Sequence, residues 1–427
     1  MYDFVDMVFP RCTTGLSFRF FSTVIAVSLS PSPVQAQEDE WPEPSRPMAI
    51  LDTTTLRDSH FVADLEGGGL AQLTLNPTLQ RAVEETLGAY HLPFAAAAVV
   101  SIPDGRVLAL AGSSEADPSL DAATLALRPW APAASVFKVV AASALLQEAH
   151  VDPMTRVCYH GGVSTLRRDN LRDLPALDRR CGSLSYGIGK SQNAIIAKLA
   201  ARHLRPEQLE HIATAFGFGQ SLDFDAEMEP SEADIPSDPL EFARAAAGFW
   251  HSSLSVLHGA LMAATIASRG EMPAARIIEK AVDPQGVAVD LPRRPSRRVL
   301  DPAVAEQVGR MMRLTTTMGT ARRSFRDRKG HPYLPVAVAG KTGTLFYRGR
   351  PQDPALPSAA VSLEAGQLGY SWFVGFAPVD RPKIAFAVLL GKSTTRPLKA
   401  HHLARLLVAE YLASEGGTRH GRLLAHR

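Results

Sequence analysis

Ser135 and Lys138 stand three residues apart in Ser135-Val136-Phe137-Lys138, a spacing that sets a hydroxyl and an amine on one face of a helix. A serine hydroxyl attacks carbonyl carbon only when a neighbouring base takes its proton. Lysine is such a base once neutral. Its unperturbed pKa near 10.4 must fall by roughly three units, about 4 kcal/mol, to serve at neutrality. Burial in an apolar helix and the nearby charge of Lys341 push that way, and a helix N-terminus adds about 0.3–1 kcal/mol.

Two more short elements carry reactive residue types, Ser191-Gln192-Asn193 and Lys341-Thr342-Gly343-Thr344. The Ser191 hydroxyl can relay a proton to a leaving amine, and Asn193 can hydrogen-bond a substrate amide. Lys341 and the hydroxyls of Thr342 and Thr344 can hold a carboxylate, while Gly343 admits substrate close to the backbone. The backbone N–H groups of Ser135 and Thr344 form a natural oxyanion hole, each donor worth about 2.7–4 kcal/mol. Each element also has a plainer use. Ser135, Ser191 and Asn193 are common helix caps, and a lone K-T-G can be a solvated strand end. Against this, S-x-x-K, S-x-N and K-T-G each occur once in the whole chain.

The surrounding pattern says what positions these residues. Leu79–Tyr90 has apolar positions at helical spacing. Phe94–Ser101 and Arg106–Ala111 read as strands joined by a turn at Pro103-Asp104-Gly105. Pro132 opens a helix running to about Glu148 that is apolar on every face and therefore central. Helical patterns continue through residue 315. Strands return at Pro335–Thr344, Tyr370–Ala377 and Lys383–Leu390, and an amphipathic helix at Leu398–Leu412 closes the pattern. Between the first two of these strands, Arg348–Gly366 reads as a mobile loop. The order predicts an α+β arrangement around an antiparallel sheet, in one catalytic domain over 67–427.

Composition narrows the classes. A chain with 46% hydrophobic and 21% charged residues is an ordinary globular protein, and a net charge of +2 is too weak a bias to argue for nucleic acid. Cations are mostly Arg, and Asn occurs only at 76, 170 and 193, so Lys138, Lys341 and Asn193 carry extra weight. Residues 1–36 read as an export signal. Arg11 and Arg19 precede the apolar run Phe20–Leu29, and Val34-Gln35-Ala36 is a small-x-small cleavage site. An uncleaved anchor is the alternative, although the run is shorter than the roughly 17–25 residues a span needs. Pro- and acid-rich 37–66 reads as a leader or linker. Of three cysteines, Cys12 falls in the signal, leaving Cys158 and Cys181 either as one disulfide in an oxidising compartment or as two thiols.

The three elements in this order resemble the motifs of penicillin-binding proteins and serine β-lactamases, with Gln192 where the usual middle motif has Asp. Leu73-Thr74-Leu75-Asn76-Pro77-Thr78-Leu79-Gln80 is similar to the opening of a penicillin-binding transpeptidase domain. Asp104–Ala109, Phe216–Gly219, Gly319–Ala321 and Ser371–Pro378 resemble later stretches of it, so the likeness covers about residues 70–412. It implies a five-stranded antiparallel sheet flanked by helices, with an all-helical subdomain. It also implies a D,D-transpeptidase acylated at Ser135 by the D-Ala-D-Ala peptides of peptidoglycan and blocked there by penicillin. The catalytic set would be Ser135, Lys138, Ser191, Asn193 and Lys341, with Thr342, Gly343 and Thr344 binding substrate. No metal or organic cofactor is called for, and the expected location is the periplasm or extracytoplasmic membrane face.

Larger members of that family carry a further domain ahead of the transpeptidase, for which 37–66 is too short, so a separate glycan polymerase is the expected partner. Trp250–His258 departs from the family's usual helix start and leaves substrate preference open. A β-lactamase is the nearest enzymatic rival, but the middle motif begins with Ser191, Tyr186-Gly187-Ile188 lacks the Asn of a Tyr-Gly-Asn element, and no Glu-x-x-Leu-Asn loop is present. A D,D-carboxypeptidase or endopeptidase would use the same residues with water as acceptor. A non-catalytic penicillin-recognising sensor or scaffold is the alternative from another class; all three motifs keep their reactive residues, which argues against it.

Overall fold

The computed structural model describes residues 47–346, 368–393 and 398–415. The expected export signal at 1–36 and the expected loop Arg348–Gly366 lie outside these residues. The central sheet is antiparallel throughout, in the spatial order Ala339–Phe346, Leu368–Ala377, Ile384–Ser393, Phe94–Ser101, Val107–Ser113. Phe94–Ser101 is buried at every position, which explains why its sequence is an unbroken apolar run rather than an alternating one. Gly105 (φ +70°) makes the turn after it, and the Ser101 hydroxyl donates to Asp104 at 2.5 Å.

Helices cover both faces. On one side lies Pro77–Gly88, started by the Asn76 side chain accepting from Leu79 N at 3.0 Å with Pro77 in the first turn. It packs Leu79, Val83 and Leu87 into a core shared with the closing helix Ala400–Glu415, each such side chain contributing about 1.5–3 kcal/mol. On the other side Val256–Ala267 lies close against the sheet, because Gly259 brings its backbone toward Val374 and Ala387. Beyond it stands the helical block: Lys138–Gln147, Leu184–Gly189, Asn193–His203, Pro206–Phe216, Pro239–Ala246 and Pro302–Thr317. Lys138–Gln147 is buried from Lys138 through Leu146, as its all-round apolar sequence requires. Among the described residues, no helix is long and apolar enough to cross a membrane.

Two expectations need correction. The leader at 37–66 is not a linker over its second half. Ala49–Arg57 and His60–Leu65 are strands of a second antiparallel sheet that continues through Leu70–Leu73 to Ile278–Val282 and Ala288–Val289. Ala49, Ala63 and Leu65 supply the apolar positions that hold those strands on the core. The helix expected from Pro132 also begins later. Ala131–Pro132 instead bridges to Ser253–Leu254, and a tight 3₁₀ turn, Ala134–Phe137, precedes the α-helix at Lys138. Cys158 and Cys181 face each other across the paired strands Arg156–Tyr159 and Arg180–Ser183 and are joined as a disulfide.

Candidate active site

Three elements converge on Ser135. The 3₁₀ turn that carries it is wedged between the edge strand Ala339–Phe346 and the segment after Ala246. A Cβ on Gly343 would stand 3.3 Å from both Ala133 O and Ala134 Cβ, so glycine lets the strand close on the nucleophile turn. That is a second reason for glycine there, beside the substrate approach its motif suggested. From the other side, a Cβ on Gly248 would sit 2.2 Å from Ala134 O. Ala133 N donates to Ser252 O at 3.0 Å and Trp372 Nε1 to Pro132 O at 2.9 Å, fixing the turn at both flanks.

The Lys138 amine lies 2.6 Å from Ser135 Oγ, 2.7 Å from Asn193 Oδ1 and 2.7 Å from Ala247 O. The amine donates to all three oxygens; in its neutral form two N–H bonds serve the carbonyl oxygens and the lone pair is left to take the Ser135 proton. Lys138 is fully buried, and burial first, then the like charge of Lys341, hold it well below the usual lysine range. Lys341 is equally buried; its amine donates to Ser191 Oγ and to Thr342 O, both at 2.8 Å. Burial lowers it to about 7. Both amines are thus pushed down from the usual lysine range, Lys341 by burial alone and Lys138 by burial together with the charge of Lys341.

Neither serine caps a helix. Ser135 turns its hydroxyl to Lys138, and Ser191 turns its own to Lys341 from a left-handed backbone (φ +55°) just before Asn193–His203. Asn193 opens that helix, and its Nδ2 donates to Val163 O at 2.8 Å. Thr342 Oγ1 shares a hydrogen bond with Thr320 Oγ1 at 2.6 Å, and Thr344 is exposed on the edge strand. Ala134 (φ +50°), Ser191 and Trp250 (φ +33°) are all left-handed and non-glycine, each costing about 1–3 kcal/mol, and all three belong to segments that build this site.

The sequence reading missed the carbonyls of Ala247 and Val163 and the brace at Gly248. Any residue brings a carbonyl, so side-chain identity carried no signal for the first two. The small-residue run Ala245-Ala246-Ala247-Gly248 was the available hint of a close backbone approach.

The chain resembles known proteins over most of its length. Residues 95–407 match the family model of the penicillin binding protein transpeptidase domain. Penicillin-binding protein PbpB of Mycolicibacterium smegmatis is 25% identical over 361 residues, covering 78% of this chain and 52% of that protein; the chain thus spans about half its length. Peptidoglycan D,D-transpeptidase PbpA of Mycobacterium tuberculosis is 24% identical over 77% of this chain and 68% of its own. The solved imipenem acyl-enzyme complex of penicillin-binding protein A from that organism superposes with a TM-score of 0.62 at 22% identity, covering 81% of this chain and 80% of its own.

Proposed function

Since the chain belongs to the penicillin binding protein transpeptidase domain family, we propose that it is a D,D-transpeptidase that forms an acyl-enzyme on Ser135 with D-Ala-D-Ala stem peptides of peptidoglycan. The observation that carries this reading is the buried Lys138 amine 2.6 Å from Ser135 Oγ, held there by Asn193 Oδ1 and Ala247 O, which accept from the same amine. Lys138 takes the Ser135 proton as Oγ bonds to the penultimate D-Ala carbonyl carbon. The backbone N–H groups of Ser135 and Thr344 receive the oxyanion. The peptide bond then breaks, the terminal D-Ala leaves as its amine with a proton passed through Ser191, and an acceptor amine takes the acyl group. Lys341, with Thr342 and Thr344, faces the substrate carboxylate. The likeness to a relative named a peptidoglycan D,D-transpeptidase and to a solved imipenem acyl-enzyme supports this chemistry. Acting on peptidoglycan, the domain would sit on the extracytoplasmic side, and glycan strands would come from a separate polymerase.

Intact mass after benzylpenicillin tests the reading. One stable penicilloyl adduct is expected on the wild type and none on Ser135→Ala. An adduct that vanishes as hydrolysed drug accumulates would mean a β-lactamase; no adduct would return the scaffold reading. With stem peptide and no acceptor amine, release of D-Ala at full rate would identify a carboxypeptidase.

The split between the two lysines gives a pH prediction. In the wild type, acylation should rise with pH as Lys138 loses its proton and fall above about 7 as Lys341 loses its own. Lys341→Met removes the like charge, so Lys138 is easier to protonate. The rising limb should move to higher pH, and the falling limb should disappear. An unmoved rising limb in the pH profile of acylation would break the electrostatic link.

A further inference from the structure

Asn193 has two chemically different ends, and only one orientation of its amide gives Lys138 an acceptor. Oδ1 meets Lys138 because Nδ2 is engaged by the carbonyl of Val163. Val163 belongs to the loop 159–180 closed by the Cys158–Cys181 disulfide, so what seats this loop also decides which end of the amide faces the base.

The seat is a charge cluster built on the buried pair Lys198–Asp178, with no direct contact to Ser135. Lys198, on the Asn193–His203 helix, is fully buried; its amine donates to Cys158 O at 2.8 Å and to Asp178 Oδ2 at 2.6 Å, with Asp173 Oδ1 at 3.4 Å. Asp178 also accepts from Leu174 N at 3.0 Å and meets His160 Nδ1 at 2.5 Å. Arg202, from the same helix, pairs with Asp173. One helix therefore grips both ends of the loop, through Cys158 and through Asp173 and Asp178. Within the loop, a Cβ on Gly162 would stand 2.7 Å from Ala194 Cβ, so the segment before Val163 lies flat on the start of that helix.

We propose that Lys198 is a positioning residue for the reaction: by gripping Asp178 and the Cys158 carbonyl it seats the 159–180 loop, whose Val163 carbonyl holds the Asn193 amide with its oxygen toward Lys138. The catalytic consequence rests on the function proposed above; the positioning itself does not. The charged group bearing on Lys138 is Lys341, while Asp173 and Asp178 face Lys198, with Arg202 and His160 beyond them. Once the loop loosens, the amide is free to turn and the protonated Lys138 loses an acceptor. Its protonation should then become harder.

Lysine labelled with ¹³C at Cε reads this directly, since the chain holds few lysines and the signal needs no penicillin. In Lys198→Met the Lys138 titration should move down by about one unit relative to the wild type, and acylation by benzylpenicillin should slow about tenfold. A folded variant whose Lys138 titration stays in place overturns the proposal, even if it melts earlier. If Lys198→Met does not fold, Cys158→Ser/Cys181→Ser releases the same loop from its other tether and is read the same way. A wild type that titrates as described yet takes no penicillin would count against the proposed function and leave the positioning intact.

Discussion

In a Lys138→Met variant, acylation of Ser135 by benzylpenicillin is expected to slow by about 10²–10⁴-fold while the fold survives, a barrier increase of about 2.7–5.4 kcal/mol. Methionine fills the same buried, unbranched space in the central helix, and it removes an amine whose burial disfavours its charged form. Asn193 Oδ1 and Ala247 O each lose a donor, at about 1–3 kcal/mol apiece, and relief of the buried amine offsets part of that. The Ser135 hydroxyl stays in place without a base 2.6 Å away. Stopped-flow acylation beside a thermal melt separates the two effects. A wild-type rate would remove Lys138 from the role and leave Lys341, the other buried amine of this site, as the proton acceptor.

Gly248→Val is the second large effect, and it acts through the backbone. Gly248 sits at φ +77°, where a side chain costs about 1–2 kcal/mol, and its Cβ would fall 2.2 Å from Ala134 O and 3.1 Å from Ser135 Cα. Neither atom is the end of a flexible chain. The nucleophile turn must shift, or the Ala247–Gly248 segment must swing away and take the Ala247 carbonyl from Lys138. Overpacking adds about 1–3 kcal/mol, so a total loss of about 2–5 kcal/mol in stability is expected, with no measurable penicilloyl adduct. A variant that melts and acylates like the wild type would mean that this segment does not brace the turn.

How much of this was legible in the sequence depends on what kind of atom does the work. Ser135, Lys138, Ser191, Asn193 and Lys341 could be singled out because side-chain chemistry at fixed spacing is written in residue letters, and the structure joins them in two hydrogen-bonded groups, Ser135–Lys138–Asn193 and Ser191–Lys341, with the charge of Lys341 bearing on Lys138. The central helix was readable because burial on every side leaves no polar stripe. Backbone carbonyls such as Ala247 and Val163 leave no such mark. The strands at Ala49–Leu65 were hidden for another reason: their exposed Asp and Thr residues resemble those of a linker, and the sheet they start reaches the distant Ile278–Val282 only through Leu70–Leu73. The cysteine pairing stayed open because spacing in sequence does not give spacing across two strands. The start of the central helix was misplaced because Pro132 suits both a first helical turn and a short bridge.

The order of strands in the central sheet also governs how the molecule comes together in time. Phe94–Ser101 is an interior strand, yet its partner Ile384–Ser393 lies about 290 residues later along the chain. Closing a loop of that length costs little more than closing one half as long, about 0.6 kcal/mol per doubling. The larger consequence is kinetic, because contacts of such high contact order form slowly. A growing chain must carry Phe94-Ala95-Ala96-Ala97-Ala98-Val99-Val100 with one edge unpaired until Ile384–Ser393 has been made. The nascent polypeptide is therefore held back from its native state until those residues arrive, and a holdase that shields this stretch would act in that interval.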